Sequence, residues 1–344
     1  MRLSRRERHD WRIFIALSVM SAAVSAYFGY VVAPPDTPMP RALFAGVVNS
    51  LLIATPIFLF EIKSRRPGPL RRLRRLPLLV YFGLKVLFYI AVIVGGLTLA
   101  RATVSPRDFI FDEVFRDSIV FAVAMAVFGN LVFEMGGLLG YGTLKNLLTG
   151  RYVQPKREQR VFLLIDMKDS TGLAERLGPV RFHELLNEFF RDVADAALEC
   201  EAEIHKYVGD EVILTWPADR ALRDGYCLAC PFIARDRIAA NGALYREKFG
   251  AVPEFRAALH CGEIVAGEIG DVRREIAYVG DTLNVAARLL EAAKTTGRDV
   301  LASADLLNAV ALPLELRAEP LPTLSLRGRT QPLEISALSR VGQD

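Results

Sequence analysis

Cysteine is scarce in this chain of 344 residues, and the four present, Cys200, Cys227, Cys230 and Cys261, all fall in the second half. Cys227 and Cys230 form one CxxC. No second pair and no suitably spaced histidines accompany it, which excludes a structural zinc site. Inside YCLACPFIA the pair reads as small buried residues of an apolar helix. Reduced thiols fit a cytosolic setting for this half. A strong excess of one charge is also missing, since the net charge is only +4. Many basic residues stand in two clusters beside apolar blocks, without interleaved aromatics, so no nucleic-acid partner is expected.

Apolar residues are plentiful, at 52% of the chain, and they are concentrated. Four blocks, at about 11–33, 41–62, 78–100 and 118–140, each exceed 20 residues. At 1.5 Å per residue each can cross the roughly 30 Å hydrocarbon layer of a bilayer. The first follows a basic segment, residues 2–8, and is too long for an ordinary signal peptide, so it reads as an uncleaved helix. The loop KSRRPGPLRRLRRLP carries Lys63, Arg65, Arg66, Arg71, Arg72, Arg74 and Arg75 with no acid, a cytoplasmic mark. APPDTPMP holds neither Lys nor Arg, and residues 101–117 show no basic excess. Both termini are therefore expected in the cytoplasm, with a multi-pass domain in the inner or plasma membrane. Lys85 and Glu134 lie inside blocks three and four. Charges there are costly; Lys85 can snorkel to the inner interface, and Glu134 lies near it or marks a helix-pairing or sensing site. The expected organisation is a four-helix transmembrane domain at 1–140, a polar linker at 141–159 and a catalytic domain at 160–340.

The second half mixes strands and helices. RVFLLID is an apolar strand ending in Asp166. KDSTGLAERLG gives a turn and short helix, and PVRFHELLNEFFRDVADAALEC places apolar residues at helical spacing. EIHKYVGDEVILTW reads as two strands joined by a tight turn at Val208-Gly209-Asp210-Glu211. One long helix is expected from about 219 to 249, then two strands, EFRAALHCG and EIVAGEIG, and an amphipathic helix, DTLNVAARLLEAAKT. This order predicts an α+β sheet with helices on one face. If the first strand pairs with the hairpin, Asp166 and Asp210 converge at one sheet edge. Two carboxylates plus substrate phosphates are a set that Mg²⁺ accepts. The competing reading is that both aspartates are turn residues. Asn284 and Arg288, four apart on one helix, project from the same face and could contact a ribose and a phosphate.

Together, FLLIDMKDSTGLAE, KYVGDEVIL, FRAALHCGEIVAGEIG and YVGDTLNVAARL closely resemble the class III adenylate and guanylate cyclases over roughly 156–340. The resemblance implies a ferredoxin-like α+β catalytic domain behind the membrane helices. It also implies conversion of ATP to 3′,5′-cyclic AMP and pyrophosphate, at sites shared by two subunits of a homodimer. Two Mg²⁺ (or Mn²⁺) ions per site would be held by Asp166, Asp210 and the carbonyl of Met167. Asn284 and Arg288 would be the transition-state pair, with Arg256 and Arg327 on the triphosphate. Lys206 falls where lysine marks adenine enzymes and glutamate marks guanine enzymes, because adenine N1 accepts a hydrogen bond whereas guanine N1–H donates one. Ala277 falls on the second base-selecting position, usually Asp or Thr, and cannot accept from the adenine amino group. That loss is worth ~1–2 kcal/mol of discrimination.

Three alternatives compete with that expectation. Guanylate cyclase activity is the nearest. A diguanylate cyclase would explain the hairpin by likeness to GGDEF, but Val208 replaces its first glycine and the Asn284/Arg288 helix would be left over. A silent cyclase-like sensor would explain Ala277 but not the intact Asp166, Asp210, Asn284 and Arg288.

Overall fold

The computed structural model of the protein describes residues 5–64, 76–104, 113–272, 274–325 and 332–342. Arg65 to Arg75 of the basic loop and Arg327 fall outside them. The chain divides into two compact units, Met1–Leu139 and Gly140–Asp344.

The first unit holds α1 (Arg5–Val32), α2 (Met39–Ser64), α3 (Leu78–Val104) and α4 (Glu113–Leu139). Each contains a stretch long and apolar enough to cross a membrane: Phe14–Val32, Met39–Glu61, Leu79–Ala100 and Phe115–Gly136. A helix satisfies its own backbone hydrogen bonds, so such a run can be helical without water. Ile57, Tyr89, Ile93, Leu97 and Phe115 form the apolar contacts between α2, α3 and α4. Beside them lies an ion cluster. Lys85 Nζ stands 2.5 Å from Glu61 Oε1 and 2.9 Å from Glu134 Oε1, and the Tyr89 hydroxyl also donates to Glu61. The helix-pairing reading of Glu134 fits this contact, whereas the expected snorkelling of Lys85 is corrected. Lys85 is 1% exposed, and its ammonium is neutralised by carboxylates of two neighbouring helices rather than by snorkelling.

The second unit begins with α5 (Tyr141–Leu148) and continues through β1 (Lys156–Met167), α6 (Ser170–Glu199), β2 (Glu203–Val208) and β3 (Glu211–Pro217). Next come α7 (Ala218–Asp224), α8 (Tyr226–Ala240), α9 (Gly242–Phe249), β4 (Phe255–Ile269), β5 (Glu275–Val279) and α10 (Asp281–Thr296). The chain closes with β6 (Val300–Ser303), α11 (Ala304–Ala309), β7 (Leu316–Leu324) and β8 (Leu333–Arg340). The eight-stranded sheet runs β2-β3-β1-β4-β6-β8-β7, with β5 paired to β4.

From Val161 to Ile165 β1 is apolar because both its faces are covered. Val161, Leu163 and Ile165 meet Leu185, Phe189 and Val193 of α6. Phe162 and Leu164 meet Val285, Ala286 and Leu289 of α10. Helices thus lie on both faces of the sheet, not on one. Two further expectations are revised. EFRAALHCG and EIVAGEIG form one continuous 15-residue strand, β4. Gly262 is not a turn there; a Cβ on it would come 2.6 Å from Thr282 Oγ1, so glycine lets α10 approach the strand. The helical stretch 219–249 is three helices, broken at Gly225, which takes the left-handed φ of 65°, and at Asn241.

Candidate active site

The site grows from the strand register. Asp166 pairs across β1 with Glu211 of β3 and with Arg256 of β4. Residues in one row across a sheet point to the same face, so two carboxylates and a guanidinium gather at the end of β1. Asp210 joins them from the β2–β3 turn, where Gly209 supplies the positive φ of 62° that reverses the chain in two residues. One pocket is lined by Asp166, Met167, Asp169, Ser170, Thr171, Asp210, Arg256 and Lys294. Ser170 and Thr171 open α6, whose first-turn N–H groups have no partner inside the helix and favour an anion.

Charge in this pocket is crowded. Burial, and then Asp166 and Asp210 nearby, push the Glu211 carboxyl up to about 7. Lys294 Nζ reaches Asp166 Oδ2 at 2.9 Å. That hydrogen bond leads the causes that raise the Lys294 ammonium above its ordinary value. The donors are hard oxygens with no His or Cys among the lining residues, a chemistry that fits Mg²⁺ or Mn²⁺ rather than zinc. No group of three or more His, Cys, Asp or Glu able to hold a metal occurs among the described residues. A hard cation of that kind keeps one or two carboxylates and takes its other oxygens from phosphate and water.

The structure brings Asp166, Met167, Asp210 and Arg256 to this one pocket. Lys206, Ala277, Asn284 and Arg288 are not among its lining residues, and Arg327 is outside the described residues. Lys206 on β2 pairs with Glu275 on β5, Nζ to Oε1 at 3.2 Å. Ala277 is two residues further along β5, on the same face as Glu275. Asn284 and Arg288 are exposed on α10, and Arg288 Nη1 holds Glu291 Oε2 at 2.8 Å.

Sequence reasoning missed three residues around this site. Glu275 stands against Lys206, and the signal was available: it shares a strand face with Ala277. Lys294 lies ten residues beyond Asn284, about 80° round the helix, and only the packing of α10 on β1 and β4 aims it at Asp166. Arg160 is the third. Its guanidinium is 1% exposed and donates to Glu203 of β2, Nη2 to Oε2 at 2.8 Å, and to the Tyr278 hydroxyl of β5 at 2.7 Å. It thereby ties together the two strands that carry Lys206 and Glu275. Tyr278 also meets the His205 ring, centroids 4.6 Å apart. Burial, with Lys206 and Arg160 nearby, pulls His205 down to about 4.

Comparison with known proteins places this geometry in a family. Residues 153–331 match the model of the adenylate and guanylate cyclase catalytic domain. Adenylate cyclase 2 of Rhizobium meliloti (strain 1021) is 40% identical over 304 residues, which cover 86% of this chain and 83% of that protein. Such a stretch is longer than the whole second unit, so the likeness extends into the helical unit. Adenylate cyclase 1 of the same organism is 28% identical over 184 residues, 52% of this chain and 27% of that protein. Among solved structures, a bacterial light-regulated adenylyl cyclase superposes with a TM-score of 0.52 at 14% identity, covering 64% of this chain and 66% of that one, which speaks to the fold alone. With its family model matched over half its length and a relative this similar across both units, the chain belongs to the adenylate and guanylate cyclase family.

Proposed function

We propose that this protein is a membrane-anchored adenylate cyclase that converts ATP to 3′,5′-cyclic AMP and pyrophosphate. The observation that carries the reading is the single pocket in which Asp166, Asp210, the end of β1 and Arg256 meet the N-terminus of α6. A triphosphate suits that pocket. Arg256 and the first N–H groups of α6 would hold its charge, while Asp166, Asp210 and the Met167 carbonyl would hold two Mg²⁺ or Mn²⁺ ions. Those ions, when bound, would activate the ribose 3′-oxygen and offset charge on the leaving pyrophosphate.

Adenine is favoured by Lys206, whose ammonium donates to N1. Glu275 holds that ammonium in place and offers a carboxylate acceptor close to where Ala277 offers none. The name of the Rhizobium relative, adenylate cyclase 2, points the same way. Incubating the purified protein with ATP or GTP and Mg²⁺ or Mn²⁺ tests the reading. Cyclic AMP should exceed cyclic GMP, with no cyclic di-GMP. A protein that makes mainly cyclic GMP, or nothing, overturns it.

Asn284 and Arg288 stand outside the pocket of their own chain, as a shared site requires. In the homodimer one subunit supplies the metal ligands and Arg256, and its partner supplies Lys206, Asn284 and Arg288. Asp210→Ala and Arg288→Ala proteins should each be nearly inactive alone. Co-expressed with random pairing, about half the dimers are mixed, each with one intact site, and activity should return to about a quarter of wild type. No recovery despite proven mixed dimers would mean that each subunit builds its own site.

For the membrane arrangement, single cysteines at Thr37 and Leu314 separate the sides. An impermeant thiol reagent added to intact cells should label only the first. Labelling at Leu314 from outside would reverse the orientation.

A further inference from the structure

We infer that Lys294 is a resident cation of the metal site, one that competes with metal for Asp166 and is displaced more readily when metal and polyphosphate arrive together. The inference rests on the reading of Asp166 and Asp210 as metal ligands.

Lys294 Nζ stands 2.9 Å from Asp166 Oδ2, and Asp166 is 8% exposed, so one of the few accessible lone pairs of that carboxylate is taken. The lysine side chain is itself 51% exposed. With half of the side chain in solvent, the head can leave Asp166 without unpacking α10. The reason for such a cation is local. Asp166, Asp210 and Glu211 meet at the end of the sheet, and Arg256 is the other base among the lining residues. An ammonium against Asp166 offsets that crowding.

A divalent cation and an ammonium cannot both sit on the same carboxylate oxygen, because their mutual repulsion at ~4 Å is of the order of kilocalories even at an effective dielectric of 20. Metal entry therefore displaces Lys294. When metal enters alone, the displaced ammonium loses its partner and gains nothing. When metal enters with a polyphosphate, the ammonium is still tethered beside the pocket and gains phosphate oxygens. The lysine thus couples the two ligands: polyphosphate raises the affinity for metal, and by linkage metal raises the affinity for polyphosphate equally.

The test uses Mn²⁺ binding by the intact protein in detergent, read from the electron paramagnetic resonance of the free ion, without turnover. Mn²⁺ is titrated alone and with inorganic triphosphate. Lys294→Gln should tighten the binding of Mn²⁺ alone about fivefold or more, the lower end of usual coupling factors, and should shrink the enhancement by triphosphate. Lys294→Arg should behave like wild type. A purely structural lysine would lower the thermal midpoint without changing the ratio between the two titrations. Unchanged or weaker Mn²⁺ binding in Lys294→Gln overturns the inference. Asp166→Asn separates the two levels: if it leaves Mn²⁺ binding intact, the metal-site reading itself falls. If Asp166→Asn abolishes binding while Lys294→Gln is neutral, only the role of Lys294 falls.

Discussion

In the helical unit the side chains that face outward are apolar, with Leu79 85%, Leu87 65%, Val120 63% and Phe128 61% exposed, while Lys85, Glu61 and Asn130 are buried. In the catalytic unit the order is reversed. Val161, Phe162, Leu163, Leu185, Phe189 and Leu289 are at 0%, and charged residues lie mainly at the sheet end or on the surface, with Arg160 and Asp192 buried against polar partners. In the bilayer arrangement proposed above, the two units are built for different solvents. Water rewards apolar burial in the second. Lipid tails are as apolar as leucine and give no such reward, so packing and polar contacts must hold the first together.

The comparison can be broken at its most sensitive point first. Asp210→Ala should lower turnover by at least a hundredfold, about 2.7 kcal/mol of barrier, while the thermal midpoint of the catalytic unit stays level or rises as like charges separate. Retention of more than about a tenth of the activity, measured as cyclic AMP formed, would remove Asp210 from the site. In the helical unit, Lys85→Met strands Glu61 and Glu134 without their counter-ion, and breaking a buried pair from one side costs about 3–5 kcal/mol. Denaturant unfolding in detergent should show this, and adding Glu61→Leu and Glu134→Leu should restore most of it. A neutral Lys85→Met would mean that the ion cluster does not hold the helices. A smaller effect is expected at the base. Glu275→Ala should narrow the preference for ATP over GTP by roughly tenfold, within the ~1–2 kcal/mol range of a lost hydrogen bond.

Smallest are two opposed pH effects in the catalytic unit. The Glu211 carboxyl is raised in the folded state to about 7, so it adds stability at low pH that is lost as pH rises from its ordinary range toward 7. The His205 imidazole is lowered to about 4, so it adds stability at neutral pH that is lost as pH falls from about 6.5 toward 4. In metal-free buffer Glu211→Gln should steepen the loss of stability on acidification, and His205→Phe should flatten it. Melting curves between pH 4 and 7 read both, and equal slopes in all three proteins would contradict the assignments.

How much of this was legible in the sequence depended on the range of the interaction. The four apolar helices and the β2–β3 turn follow from local pattern, because length, Gly209 and strand alternation act over a few residues. Asp166 and Asp210 were recognisable for the same reason: each ends a strand or a hairpin. What local pattern could not show is which side chain meets which across the fold. Gly262 looked like a break because the close approach of Thr282 comes from another element. Lys294 looked like a surface residue of an amphipathic helix, and its aim at Asp166 depends on α10 covering the second face of the sheet. Helix pairing was one reading of Glu134, but its partner Lys85 was not named, and Glu61, which joins Lys85 to α2, sat unremarked beside Lys63 at the end of the second block.

That cluster also bears on how the chain is made. A lone charge placed centrally in a membrane helix costs roughly 2.5–3.5 kcal/mol on insertion, and one near an end costs less. In the bilayer arrangement proposed above, α2 brings Glu61 and α3 brings Lys85, so these two can leave the insertion machinery as a neutral hairpin. Glu134 comes near the end of α4, the last helix of the unit to be synthesised, and completes the set around Lys85. The next segment to emerge from the ribosome is the catalytic unit, which starts at Gly140. Synthesis order therefore has the anchor reach its full complement of charge partners before the enzyme it carries begins to fold.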